Sequence, residues 1–187
     1  LAEFTLSRKA PDYVQLAKEV REGERAQVEG TCIGEALPGF HDVMTAIREK
    51  FPEVSRENIG IGSTIFAVKP GDGSAREQAA SCQKVLGGWA NIANEYATKR
   101  YRSNLINWGM LPFVIGKGEL PFSKMDYLFF PGIRKAVENK EQTIQGYVVK
   151  NETLEPFAVT LGDLTDDERQ IILDGCLINF NRRSLEK

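Results

Sequence analysis

The sequence contains little histidine and cysteine, and this scarcity limits the chemistry that the chain can carry out alone. Its 187 residues include one histidine, His41, and three cysteines, Cys32, Cys82 and Cys176. A single imidazole cannot build a histidine-rich metal site, and the cysteines lack the C-x-x-C spacing of a local metal or cluster motif. Dispersed thiols in odd number are typical of a reducing compartment. We therefore expect no metal site in this chain and a cytoplasmic location.

An alternative is that the three thiols meet in space on one iron–sulfur cluster. This alternative is disfavoured because a free cysteine usually behaves as a small buried hydrophobic residue. His41 lies beside the expected start of a helix, at Asp42. A lone histidine there is more often a surface or capping residue than a metal ligand.

Long apolar runs and an excess of basic residues are also lacking. No stretch approaches the roughly 18 apolar residues of a membrane helix, and no signal-peptide pattern opens the chain. The formal net charge of −2 argues against nucleic-acid binding, because such proteins usually carry a basic patch. We expect one globular domain over residues 1–187, without nucleic-acid or membrane partners. Because the sequence begins with Leu1 rather than Met, we expect it to be either a fragment of a larger protein or a processed product.

The most informative stretch is 71–80, which follows a strand-like segment. Residues 63–68 are rich in β-branched and aromatic side chains, which predicts a strand. Gly71 and Gly73 then predict a turn, and an alanine-rich run predicts a helix. A strand, a glycine turn and a helix N-terminus leave backbone N–H groups unpaired at the positive end of the helix dipole, which suits an anion. The planar guanidinium of Arg76 would match a carboxylate or phosphate.

A purely structural interpretation of the same residues is a helix cap. Ser74 and Glu77 have the spacing of a capping box, in which each side chain bonds the backbone N–H of the other residue. From spacing alone, this interpretation is favoured. The stretch lacks the lysine of a phosphate loop and the chain lacks a Gly-x-Ser-x-Gly motif. Neither phosphoryl transfer nor serine hydrolysis is therefore indicated.

The remaining pattern alternates helices with strands and ends in a strand-rich third, which fits a layered α/β domain. Residues 1–9 are expected to be a short strand or loose lead-in, and residues 34–39 a loop. The expected helices are residues 11–21, 42–51, 74–86, 98–108 and 165–174, with one or two helical turns at 132–139. The expected strands are residues 27–33, 63–68, 90–93, 127–130, 143–149 and 157–161.

Residues 71–80 resemble the Gly-x-Gly-Ser-Ser-Arg-Glu-His-Ala signature of the aconitase and isopropylmalate isomerase superfamily. The resemblance continues through Leu86-Gly87-Gly88 and Tyr96-Ala97. With residues 101–112, Tyr96-Ala97 resembles the family's Phe-Ala…Arg-Asn-…-Asn-x-Gly-Leu-Leu-Pro segment, with one residue more than usual between its halves. Residues 164–179 resemble the family's closing helix. Together these segments cover most of residues 60–180. The resemblance implies an α/β fold, the three-layer β/β/α swivelling domain found at the C-terminus of aconitases.

Members of this superfamily add or remove water across a carbon–carbon bond beside carboxylates, with a [4Fe-4S] cluster as Lewis acid. The resemblance implies that Ser74 is the base that takes a proton from carbon, that Arg76 binds a substrate carboxylate, and that Gly73 and Ala75 line the substrate site. Ala75 replaces the family's second serine, which implies a substrate other than citrate or isopropylmalate. Gln78 replaces the usual histidine and removes a titratable group. The further arginine that the family uses upstream has no counterpart that we assign.

The resemblance therefore implies the C-terminal swivel domain of a hydro-lyase, inactive by itself. Its partners would be a small carboxylic-acid substrate and the other domains of the same enzyme, whose cysteines hold the cluster. This chain would hold no cofactor. Two alternatives remain open. One is a non-catalytic anion-binding or interaction module that retains the fold, which the loss of a hydroxyl at Ala75 favours. The other is a free-standing small subunit like that of isopropylmalate isomerase.

Overall fold

The computed structural model describes residues 2–8 and 10–186 of the chain. Helices form the first part, strands alternate with helices in the middle, antiparallel strands follow, and two helices come last. In chain order the elements are α1 (Ala2–Ser7), α2 (Pro11–Glu29), α3 (Ile33–Ala36), α4 (Phe40–Lys50), β1 (Ser63–Ala67), α5 (Arg76–Val85), β2 (Gly88–Ala93), α6 (Lys99–Asn107), β3 (Leu111–Val114), β4 (Tyr127–Phe129), α7 (Ile133–Glu138), β5 (Thr143–Lys150), β6 (Thr153–Thr160), α8 (Asp166–Asp174) and α9 (Leu177–Leu185).

The six strands form one mixed sheet in the order β1-β2-β3-β6-β5-β4. Strands β1, β2 and β3 are parallel, whereas β6, β5 and β4 pair antiparallel. The two halves meet at a single antiparallel pair, Val114 with Thr160. The parallel half needs helical crossovers and the antiparallel half needs only tight turns. The alternating and strand-rich parts of the sequence thus become the two halves of the sheet.

Helices α5 and α6 are the crossovers of the parallel half, and they pack against each other. The buried residues Ala80, Tyr101, Leu105 and Met110 lie in their contact. Ala67, Ala93 and Val114 are successive partners across β1, β2 and β3, so the carboxyl ends of these strands lie level at one edge of the sheet. In open α/β sheets this is the edge where ligands bind.

The main core lies on the sheet and includes Ile92, Phe113, Val148 and Val159, each at most 1% exposed. The ring of Phe113 stacks on Phe130 with centroids 4.7 Å apart. Burying one such side chain contributes about 1.5–3 kcal/mol. A separate cluster of Met44, Ala46, Ile47 and Val149 attaches α4 to the antiparallel half.

Two expectations for the first part of the chain are wrong. Residues 2–7 form helix α1 rather than a strand, while residues 1 and 9 of that expected segment lie outside the described residues. Helix α2 continues through Gly23 to Glu29 and so includes the first three residues of the expected strand at 27–33. A Cβ at Gly23 would collide with Leu37, so the glycine allows α3 and the adjoining turn to pack close to α2. This packing outweighs the low helix propensity of glycine.

The structure also contains two elements that the pattern did not predict, β3 and α9. β3 is only four residues long and includes Pro112, so it carries a weak strand signal. The expected loop at 34–39 contains the short helix α3. By contrast, the capping box of α8 is present as expected: Glu168 N donates to Thr165 Oγ1 at 3.2 Å and Thr165 N to Glu168 Oε2 at 2.9 Å. Among the helices of the described residues, none combines the length and the hydrophobicity of a membrane-spanning segment.

Candidate functional site

Three loops follow the parallel strands, and hydrogen bonds to backbone carbonyls join them. The loop after β2 bonds to the loop after β1, since Ala97 N donates to Pro70 O at 2.9 Å. It also bonds to the loop after β3, since Asn94 Nδ2 donates to Ile115 O at 3.2 Å and to Gly116 O at 3.0 Å. Asn94 therefore connects the loop after β2 to the loop after β3. The joined loops form a rim along the carboxyl edge of the sheet.

Gly71 has a constrained backbone conformation in the loop after β1. Its φ of +99° lies in the left-handed region, which favours glycine. A Cβ there would lie 2.5–2.8 Å from atoms of Tyr101, whose hydroxyl accepts a hydrogen bond from Asn91 Nδ2 at 2.8 Å. Burial raises the pKa of the Tyr101 phenol, which therefore stays neutral near neutral pH. The Gly71 carbonyl accepts two hydrogen bonds, from Arg76 Nε at 3.1 Å and from Thr98 Oγ1 at 3.0 Å.

Arg76 is half-buried at the first position of α5. Its Nε is occupied by the Gly71 carbonyl. Neither of its Nη atoms bonds to any described residue. A guanidinium offers five donors in a planar fork, so four N–H groups on the two Nη atoms remain for a ligand. The arrangement fits bidentate contact with a carboxylate or phosphate.

The expected capping box at Ser74 is wrong. Helix α5 begins at Arg76 with Ala75 as its N-cap residue, so Ser74 lies one residue too early to cap it. Glu77 instead accepts a hydrogen bond from Trp108 Nε1 at 3.1 Å. This contact ties the first turn of α5 to the end of α6. A tertiary partner thus replaces the local partner that the spacing indicated.

The predicted site residues lie together in this loop. Gly73, Ser74 and Ala75 are exposed, next to the half-buried Arg76. Within the described residues, no side chain caps α5, and the Ser74 hydroxyl has no hydrogen-bond partner. The first N–H groups of a helix have no intrahelical acceptor, so the α5 N-terminus retains unpaired donors beside Ser74. The assignment of these four residues to a site stays a prediction.

An ion pair lies on the same rim. Lys69 Nζ, which follows β1, lies 2.6 Å from Glu95 Oε1, which follows β2. The hydrogen bond and charge of Lys69 lower the pKa of Glu95, with a smaller contribution from Lys117. The pair therefore joins the loops after β1 and β2 by a charged contact.

Sequence reasoning missed Thr98, Asn94 and the Lys69–Glu95 pair as parts of this rim. Thr98 carries a readable signal, because a threonine immediately before a helical pattern is a typical N-cap. It caps α6 by accepting from Tyr101 N at 3.2 Å. Its second bond, to Gly71, depends on the fold. No local pattern indicates the roles of Asn94 and Lys69, which depend on strands that are adjacent only in the sheet.

The cysteines do not assemble into a cluster site among the residues that the structure describes. Cys82 is buried in α5, Cys32 is exposed and Cys176 precedes α9. No group of three or more Cys, His, Asp or Glu side chains in the described ranges has an arrangement that could hold a metal ion. These residues of the described ranges therefore do not fit an iron–sulfur cluster.

The glycine turn, Arg76 and the uncapped N-terminus of α5 lie at the carboxyl edge of the parallel strands, which is the edge where open α/β sheets bind ligands. The family model of the aconitase C-terminal domain matches residues 44–118, which contain this loop and both crossover helices. The chain is therefore similar to that family over this segment. The match confirms the resemblance read from the sequence and the α/β fold that it implied.

No curated protein matches the chain significantly. Among solved structures, the chain is similar to 3-isopropylmalate dehydratase from Methanocaldococcus jannaschii, with 23% sequence identity and a TM-score of 0.42. The alignment covers 77% of this chain and 79% of that one.

Proposed function

We propose that residues 1–187 form the swivel domain of a cytoplasmic aconitase-family hydro-lyase, which acts on a small carboxylic acid together with cluster-bearing domains or subunits. The family match over residues 44–118 supports the class of enzyme. The observation that carries the proposal is the position of Ser74, an exposed hydroxyl between the rim and the uncapped N-terminus of α5. Arg76, two residues later in the chain, has N–H groups on both Nη atoms that bond to no described residue.

Ser74 is proposed to accept the proton removed from the substrate carbon, at Oγ. A serine hydroxyl is a weak base, so its alkoxide needs a positive environment. The unpaired N–H groups of the α5 N-terminus and the charge of Arg76 provide one. Each helix-end interaction is worth only about 0.3–2 kcal/mol in open solvent. Exclusion of water by a partner domain would strengthen both effects.

Arg76 is proposed to hold a substrate carboxylate through its two Nη atoms. Its Nε–H···O bond to Gly71 fixes the plane of the guanidinium, so less side-chain entropy is lost when the carboxylate binds. Gly73 and Ala75 expose backbone on either side of Ser74. The methyl group of Ala75 donates no hydrogen bond, which favours a substrate with fewer polar groups at that position than citrate.

The remaining parts of the site are assigned to partner domains or a partner subunit. Polarisation of the departing hydroxyl is the chemistry that a [4Fe-4S] cluster supplies in this family. The cysteines of this chain are not arranged to hold one. The isolated chain should therefore bind carboxylates weakly and turn none over.

The test is steady-state kinetics of the complete enzyme on a panel of hydroxy di- and tricarboxylic acids, monitored by absorbance of the alkene product. Ser74→Ala should lower kcat about 10²- to 10⁴-fold with little change in KM, because the base acts only as the C–H bond breaks. Arg76→Lys should raise KM and also lower kcat, because the ammonium group lacks the fork. Gln78→Ala, an exposed change in the same turn, is the matched control and should change neither value greatly.

Wild-type turnover by Ser74→Ala would exclude Ser74 as the base. If no hydroxy acid is turned over while carboxylates still bind in an Arg76-dependent way, the chain is instead the non-catalytic anion-binding module. The missing hydroxyl at Ala75 is the observation that favours this second candidate.

A further inference from the structure

We propose that Thr98 is a positioning residue for Arg76, acting through the Gly71 carbonyl that both side chains share. The proposal rests on the proposed function, in which Arg76 binds a substrate carboxylate. Thr98 lies 27 residues from Gly71 in sequence and outside the stretch 71–80. It belongs to the loop after β2, whereas Gly71 and Arg76 belong to the loop and helix after β1.

The hydroxyl of Thr98 makes two hydrogen bonds, each with a different structural effect. Its Oγ1 accepts from Tyr101 N at 3.2 Å, which caps α6. The same hydroxyl donates to Gly71 O at 3.0 Å, and Arg76 Nε donates to that oxygen at 3.1 Å. One carbonyl therefore connects the α6 N-terminus to the guanidinium of α5. A hydroxyl can accept and donate at once, so one side chain accomplishes both.

The shared carbonyl matters because it sets the direction of the arginine fork. With Nε bonded to Gly71 O, the guanidinium plane is fixed and the two Nη atoms remain available. A Cβ at Gly71 would lie 2.5–2.8 Å from atoms of Tyr101, so Tyr101 packs close to the Gly71 backbone. Without the Thr98 donor, one of the two hydrogen bonds that hold this carbonyl disappears. The guanidinium would then sample more orientations and bind a carboxylate less tightly.

The first measurement is heteronuclear NMR of the whole chain with isotope-labelled arginine, which observes each Nε–H directly. Arg76→Lys identifies the Arg76 signal by its loss. Thr98→Val keeps the shape of the side chain but removes the hydroxyl, and should speed hydrogen exchange at the Arg76 Nε–H about 2- to 10-fold, the effect expected for one hydrogen bond. Thr98→Ser retains the hydroxyl and should restore the wild-type rate.

Loss of the α6 cap is a separate effect and has its own control. Thr165 caps α8 in the same way but has no contact with Gly71, so Thr165→Val removes a cap without altering the shared carbonyl. It should destabilise the fold by an amount similar to Thr98→Val while leaving the Arg76 signal unchanged. Should Thr98→Val fail to fold, Thr98→Ala stabilised with an osmolyte provides the same comparison. An unchanged Arg76 exchange rate in a folded variant without the hydroxyl overturns the proposal.

The second measurement is titration of the same variants with malonate as a dicarboxylate probe. Thr98→Val should weaken malonate binding about 2- to 10-fold, Thr98→Ser should leave it within about twofold, and Arg76→Lys should abolish the saturable response. If malonate binds wild type and Thr98→Val equally tightly, the proposal for Thr98 is wrong, while the proposed carboxylate site at Arg76 is retained. If malonate fails to bind wild type, the result counts against the proposed function, and the exchange rate alone decides the role of Thr98.

Discussion

Replacing Gly71 with alanine tests whether the loop after β1 is as tightly constrained as its geometry indicates. Two costs arise at this position. An alanine at φ +99° is strained, at about 1–3 kcal/mol for a non-glycine residue in a sparsely populated region. The new Cβ would also lie 2.5–2.8 Å from Tyr101, an overpacking that costs about 1–3 kcal/mol.

Together the two costs predict a loss of about 2–6 kcal/mol in the free energy of unfolding. That is a large part of the about 5–15 kcal/mol typical of a domain. Tyr101 cannot easily move away, because it is 5% exposed and its hydroxyl is bonded to Asn91. The loop is therefore expected to shift instead. Such a shift would also displace the carbonyl that orients Arg76.

Urea unfolding followed by circular dichroism measures the predicted loss. Gly73→Ala is the matched control, because in the described structure no heavy atom would lie within 4 Å of its new Cβ and its φ is not positive. It should change stability by no more than about 0.5 kcal/mol. Equal stability of the Gly71→Ala and Gly73→Ala variants would refute the argument, since it would mean that neither the backbone angle nor Tyr101 constrains the loop.

Glu77→Ala should destabilise the fold by about 0.5–1 kcal/mol in urea unfolding, because Trp108 Nε1 loses its acceptor. Glu77→Gln keeps an acceptor oxygen and should be as stable as wild type. Equal losses of stability in the two variants would refute this prediction. Lys69 lowers the pKa of Glu95. Their ion pair therefore stabilises the fold at pH values above the ordinary glutamate pKa. This stabilisation is lost as the pH falls through the lowered pKa of Glu95. NMR titration of Glu95 should show a midpoint that rises in Lys69→Met, and an unchanged midpoint would contradict the ion pair.

The helices and strands with strong local signals follow from the sequence, and those shaped by packing do not. Strand β1 and the capped helix α8 lie close to where their residues predicted them. Helix α2 is longer than predicted because Leu37 packs onto Gly23, a contact between residues in different elements. Val85, at the end of α5, is apolar yet 54% exposed. Periodicity indicates an apolar face but does not show how much of that face another element covers.

The candidate site likewise combines features encoded by local sequence with features that depend on tertiary packing. The motif from Gly71 to Arg76 identified the loop, because a glycine turn before a helix is encoded within a few residues. The motif also indicated a cap at Ser74, which the structure replaces with the bond between Glu77 and Trp108. Spacing cannot choose between a local partner and a distant one when both satisfy the same carboxylate.

The sequence by itself determined the order of strand, turn and helix around Gly71, the presence of Ser74 and Arg76, and the similarity of residues 44–118 to the aconitase C-terminal domain. These features depend on neighbouring residues, whose backbone preferences and spacing act before any tertiary contact forms. Only the tertiary structure decided that Thr98 and Arg76 share the Gly71 carbonyl and that Lys69 pairs with Glu95. The physical reason is that hydrogen bonds and ion pairs act over a few ångströms, and the parallel sheet brings residues from separate strands within that distance.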